Sequence, residues 1–205
     1  MKKLIAGSLV MLLAACSAAV SEQTTKPSAV TVQKRGNITN YETTGNLAVT
    51  APTACVDVNQ LSSDHTPADI YTGISDCLAK DDVDRAAKLS ALAFVYGYYD
   101  RLRVADRSAH QAMTVLQMNH FSGVDDDVAG RMSARVGQIS DDGAALEALC
   151  DDIRSLGMPS YHPAYMIQHG IQAFSGGQDG SGLVPGFSEQ EGWQKVLDQG
   201  LHCPA

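Results

Sequence analysis

The chain lacks an apolar run long enough to cross a bilayer, which takes about 20 residues; the stretch from Leu4 to Leu13 stops well short. It has no C-x₂-C pair, which argues against a cysteine zinc site, and no H-E-x-x-H or other tight pair of histidine ligands. No G-K-[ST] follows its glycines, so there is no phosphate loop. Ser181 sits in Gly180-Ser181-Gly182, which is not the G-x-S-x-G elbow that exposes a nucleophile. Positive charge is scarce: after residue 50 there are 10 basic against 21 acidic residues, a net of −11. Nucleic acid and anionic lipid are poor partners for such a surface, whereas a basic protein would be steered towards it.

The N-terminus carries Lys2 and Lys3, then the apolar stretch, then a small-residue exit at Leu13-Ala14-Ala15-Cys16. This is the layout of a secretory leader. With a cysteine at the exit it resembles the lipobox of bacterial lipoproteins. That resemblance implies removal of residues 1–15, acylation (palmitate) of Cys16 and anchoring by more than one lipid chain. Ser17 does not resemble the aspartate that retains such proteins in the inner membrane. The expected location is therefore the outer membrane, lipid-anchored, facing the periplasm.

Four further cysteines, Cys55, Cys77, Cys150 and Cys203, form an even count that favours disulfides in an oxidising compartment. Three pairings are possible. Cys55 lies just before the first expected helix and Cys77 near its end, which favours Cys55–Cys77 and leaves Cys150–Cys203.

Residues 16–50 are rich in Ser, Thr, Ala and Val and show no helical stripe, as expected of a flexible tether, with a stray strand near Thr44 to Thr50. Residues 51–205 suit one domain with one core. The pattern is all-α, about seven short helices. Thr66-Pro67 opens the first, with Asp69 in its first turn, and Ile70, Ile74, Cys77 and Leu78 mark its apolar face to Ala79. Asp81 and Asp82 cap the second, Val83 to Tyr96. A third runs from Arg107 to His120. Val124, Val128, Met132, Val136 and Ile139 stripe the fourth, and Leu146 to Leu156 the fifth, ended by Gly157 and Pro159. Pro163 opens a sixth with Ile167, Ile171 and Phe174 inward. Ser188 and Glu191 form a capping box for the last, Glu189 to Gln199, which Gly200 stops. The first two helices resemble a hairpin of the tetratricopeptide or Sel1-like kind, over about 34 residues and without a second copy.

Asp125-Asp126-Asp127 with Gly130 invites a calcium reading. Ala129 and Val136 occupy the fifth and twelfth positions, where an EF-hand needs oxygen ligands, and helix capping explains the acids better. His162 and His169 lie two helical turns apart and His202 is in the same third of the chain; a hydrogen-bonded histidine is the simpler account of each. No metal and no cofactor is expected. The run Phe94-Val95-Tyr96-Gly97-Tyr98-Tyr99, followed by Asp100, Arg101 and Arg103, must bury some rings and leaves others for a binding surface. Tyr98, Tyr99, Arg101, Tyr161 and His169 are the expected binding residues.

The stretch Tyr161-His162-Pro163-Ala164-Tyr165-Met166-Ile167-Gln168-His169-Gly170 to Phe174, with Gly182 to Pro185, Trp193 to Pro204 and Ala109 to Ala112, is similar to uncharacterised proteobacterial lipoproteins. These resemble immunity partners of type VI secretion toxins. The resemblance implies a non-enzymatic chain that occludes a secreted antibacterial toxin by tight binding. A housekeeping envelope scaffold or assembly lipoprotein is the alternative, and a metal-dependent hydrolase built on His162 and His169 a more distant one.

Overall fold

The computed structural model describes residues 30–35, 38–177 and 180–204. Cys16, the leader and the first part of the expected tether lie outside the described residues. The fold is all-α, with eight α-helices and one two-stranded sheet among the described residues.

Helix α1, Pro67–Ala79, starts where its local chemistry dictates. The Thr66 hydroxyl accepts from the Asp69 N–H, and the Asp69 carboxylate accepts from the Thr66 N–H, a reciprocal box that satisfies two otherwise orphaned donors. A three-residue turn leads to α2, Val83–Arg103, where the Asp82 carboxylate accepts from the Arg85 N–H. Asp81, with φ +60°, does not cap α2 but pairs with Arg131 further along the chain. The short connection makes α1 and α2 a helical hairpin.

Helix α2 runs seven residues past the expected end at Tyr96 because its buried stripe continues. Ala86, Leu89, Ala93 and Tyr96 are fully buried as expected, and Tyr99, Asp100 and Arg103 extend the same face. The helix packs against α1, α4 (Asp126–Asp141) and α8 (Glu189–Val196), and so forms the centre of the single core. A 3₁₀ segment, Arg107–Gln111, precedes α3, Ala112–Phe121. Asp125 caps α4, and Asp142 caps α5, Gly143–Leu156. Gly157, with φ +87°, ends α5 in a conformation that favours glycine.

Three expectations at the C-terminal end need correction. The sixth helix is broken into α6, Ala164–Ile167, and α7, Ile171–Ser175. A Cβ on Gly170 would come within 2.3 Å of an Asp106 carboxylate oxygen; the chain makes a close approach there, and Asp106 accepts from the Gln172 N–H instead. Ile171 and Phe174 consequently stay exposed, at 68% and 37%. Ser188 makes no side-chain cap to α8. Gly200 does not stop the last helix, which passes through a π-helical turn, Leu197–Leu201, and ends at His202 in the left-handed region.

Both disulfides form with the favoured pairing, Cys55–Cys77 and Cys150–Cys203. Each ties a terminal segment to a helix.

The described residues include a stretch ahead of residue 51, inside the segment expected to be a tether. Strands β1, Val30–Arg35, and β2, Ile38–Thr43, pair antiparallel with Val30 opposite Thr43, upstream of the 44–50 stretch where alternation suggested a strand. The chain then lies along the body. Thr43 Oγ donates to the Gln168 carbonyl, and the Leu47 N–H donates to the Tyr165 carbonyl at 3.0 Å. The Thr50 and Ala51 N–H groups donate to one oxygen of Asp69 at 2.7 and 2.8 Å. The Cys55 N–H donates to Asp76 at 2.8 Å. Gly73 permits this seat, since a Cβ there would lie 2.7 Å from the Ala54 carbonyl oxygen.

Asp69 is thus a latch between this strap and α1. Burial pulls its pKa up, but donors from Ala51, Thr66 and Thr50 outweigh burial and hold the carboxyl below its usual range. With the folded pKa depressed, the latch contributes fully above the unfolded carboxylate value of about 3.9 and is lost as pH falls through the folded value. Amide exchange should therefore show Thr50 and Ala51 losing protection in acid before the α2 amides do. Equal loss at all three positions would mean that Asp69 does not hold the strap.

Candidate functional site

Two features stand out around α2, one on each side. On the first, Asp100 is completely buried. One of its oxygens accepts from Arg103 Nε at 2.8 Å, with a second guanidinium nitrogen at 2.7 Å. The other accepts from the hydroxyls of Tyr161 and Tyr165 at 2.9 and 2.8 Å. The guanidinium also donates to the Tyr161 carbonyl and lies 4.9 Å from the Tyr99 ring centre and 5.2 Å from that of Tyr161. Burial pushes the Asp100 carboxyl up, while Arg103 and the two hydroxyls draw it back down. Burial and the Asp100 charge push both tyrosines well above their usual value, so they remain hydroxyl donors. This constellation is held by its own partners on all sides. It is a structural keystone that joins α2 to the segment from Tyr161 to Tyr165.

Tyr99 and Tyr161, expected at a binding surface, belong to this keystone instead. Asp100 and Arg103, which follow the aromatic run in the sequence, are buried in it too. His169 is half-buried and its Nδ1 lies 2.8 Å from the Asn46 side-chain oxygen, so it seats the N-terminal strap; burial lowers its pKa. His162 instead has its Nε2 2.9 Å from the Ser181 carbonyl. Among the described residues no group of three His, Cys, Asp or Glu side chains is placed to hold a metal. Arg101 is exposed. Tyr98 lies on the other side of α2, tilted against Phe94 at 6.1 Å and close against Gly200.

That other side holds an open groove of about 570 Å³, bounded by α2, α3, α4, the start of α5 and the π-helical turn. Small residues of α2, Ala87, Ser90 and Ala91, make its floor, because they leave room that Met132, Val136 and Ile139 of α4 do not fill. Phe94 forms part of the rim and is 49% exposed. Tyr71 and Phe121 line the groove as well; they pack edge to face at 6.3 Å, and burial pushes the Tyr71 hydroxyl up to about 12. No lining residue is charged, in a domain with twice as many acids as bases. The buried Ser90 Oγ has no hydrogen-bond partner among the described residues. The volume falls in the range of ligand sites between helices of a bundle.

Sequence reasoning missed this groove. Its one visible signal is that the α4 stripe, read as core, is interrupted by Ala129, Ser133 and Ser140 on the same face. Val136 in that stripe is 37% exposed.

Comparison with protein-family models, with curated proteins and with solved structures finds no match for this chain.

Proposed function

We propose that the chain is a lipid-anchored, periplasm-facing protein that works by binding another protein, as an immunity protein that occludes a secreted antibacterial toxin. The observation that carries this reading is the uncharged groove in an acidic body locked by two disulfides. Contiguous exposed apolar surface rimmed by polar residues marks interaction sites. A rigid binder loses little conformational entropy on association. The acidic surround would speed capture of a basic partner. A lipid anchor at Cys16 would hold the binder on the periplasmic side of the outer membrane, where an incoming toxin acts. The mechanism is steric occlusion, with no chemistry by this chain.

The test uses the mature chain as bait in lysate of secretion-active cells, followed by export of each recovered protein to the periplasm. The expected result is one stoichiometric partner that kills when exported alone and is harmless when co-expressed with this chain. Recovery of envelope assembly components only, or of nothing, would overturn the immunity reading and favour a housekeeping scaffold.

A further inference from the structure

The groove restricts what can fill it. All its walls are helices whose backbone groups are already paired within themselves. An extended segment laid there would find no open edge for its own N–H and C=O groups, which must be paired when buried. A helix brings its backbone already satisfied and offers one apolar face. The α4 wall runs from Ala129 to Ser140, about 16 Å or three helical turns at 1.5 Å per residue.

Charge selects further. At one end Asp126 stands on the same helical stripe as Ala129 and Ser133. At the other, Asp141 and Asp142 follow Ser140, and Asp198 precedes Leu201 by one turn. All four carboxylates are exposed and none is in an ion pair among the described residues. The cations of α2 and α4 are engaged elsewhere, Lys88 and Arg135 on Asp84 and Arg131 on Asp81 and Asp127; Lys195 stands three residues before Asp198. The groove is thus uncharged and mostly apolar along its length, with carboxylates next to both ends of the α4 wall.

We propose that the groove takes a cationic amphipathic helix of about three turns carried by the partner; this deepens the protein-binding reading above and rests on it. Leucine-like side chains at i, i+3, i+4 and i+7 would lie along α4. Lysine or arginine at the ends would meet Asp126 and the Asp141–Asp142–Asp198 cluster. A side-chain donor on the helix would satisfy Ser90 Oγ. An acyl chain would leave that oxygen unpaired, and its carboxylate would face the acidic ends. A second copy of this chain brings a net of −11 after residue 50 and is repelled.

The experiment titrates the unacylated mature chain, residues 16–205, with synthetic peptides by calorimetry. One peptide of about 14 residues carries leucine at helical spacing and lysine elsewhere. A second has glutamate for every lysine. A third has the lysine composition with leucines at alternate positions. The lysine helix should bind, and the other two should bind at least about tenfold more weakly. Val136→Lys, at an exposed position that tolerates a charge, should weaken the lysine helix about tenfold or more. Asp126→Asn with Asp198→Asn, which leave the walls untouched, should weaken it several-fold in low salt and little in high salt. Equal binding of the alternating peptide would reduce the effect to bulk charge attraction and overturn the proposal. So would unchanged binding by both variants, or displacement of the lysine helix by dodecanoate or by self-association of the chain. These titrations need no toxin. A failed partner search therefore leaves them standing, and a lysine helix that does not bind overturns the groove assignment alone.

Discussion

An Asp100→Ala variant is expected to lose about 3–5 kcal/mol of stability, the cost of breaking a buried ion pair from one side. The carboxylate is wholly buried and takes four donors, two from Arg103 and one each from Tyr161 and Tyr165. Removing it leaves a guanidinium whose side chain is only 7% exposed with one carbonyl and two ring faces for company. It also strands two buried hydroxyls. Small domains have about 5–15 kcal/mol in total, so the variant should stand near the edge of folding. The loss would come from the stranded cation, not from a strong bridge. Asp100→Leu combined with Arg103→Met should accordingly recover most of it. Urea denaturation followed by circular dichroism measures both. A loss below about 1 kcal/mol in the single variant would mean that water reaches the pair in the folded state.

Replacing Cys150 and Cys203 together by serine should cost about 4 kcal/mol, from the chain entropy returned to an unfolded loop of 53 residues. The 22-residue loop of Cys55–Cys77 should be worth about 3 kcal/mol on the same reasoning. The longer bridge has a local effect too. Gly200 and Leu201, which line the groove, lie just before Cys203, and Arg154 holds the Pro204 carbonyl beside the bridge. Opening it should loosen that wall, so affinity for the lysine helix should fall together with the urea midpoint. Stability lost with helix binding unchanged would show that the wall keeps its place without the bond.

What the sequence made legible is what local chemistry decides. The Thr66–Asp69 box opened α1 where expected, Asp82 and Asp125 capped their helices, Gly157 ended α5, and the position of Cys55 and Cys77 around α1 indicated the disulfide pairing. What stayed hidden depends on segments far apart in the chain. Nothing near Asp100 announces that two hydroxyls about sixty residues downstream will bury it. In the run from Phe94 to Tyr99 every ring has the same apolar appeal. Only the packing decides that Tyr96 and Tyr99 go in while Phe94 and Tyr98 face the groove side. The break between α6 and α7 follows from the approach of Gly170 to Asp106. The groove is least legible of all, since a stripe that lines a half-filled space reads the same as one that fills it.

The Cys55–Cys77 bond also has a mechanical meaning. A load pulling on the N-terminal side of the strap meets no covalent tie before Cys55, only hydrogen bonds from Thr43 to Ala51 and the packing of Leu47 on the core. The hydrogen bonds run first along α6, at Gln168 and Tyr165, and then along α1, at Asp69 and Asp76, and open one after another, like a zip. Peeling residues 43–54 pays out about 40 Å of chain at 3.3–3.6 Å per residue. The load then reaches a covalent stop on a fully buried cysteine of α1. Tension is delivered to the hairpin as a whole, and α2 with the groove beside it stays behind the stop. The strap is a shock absorber with a fixed travel.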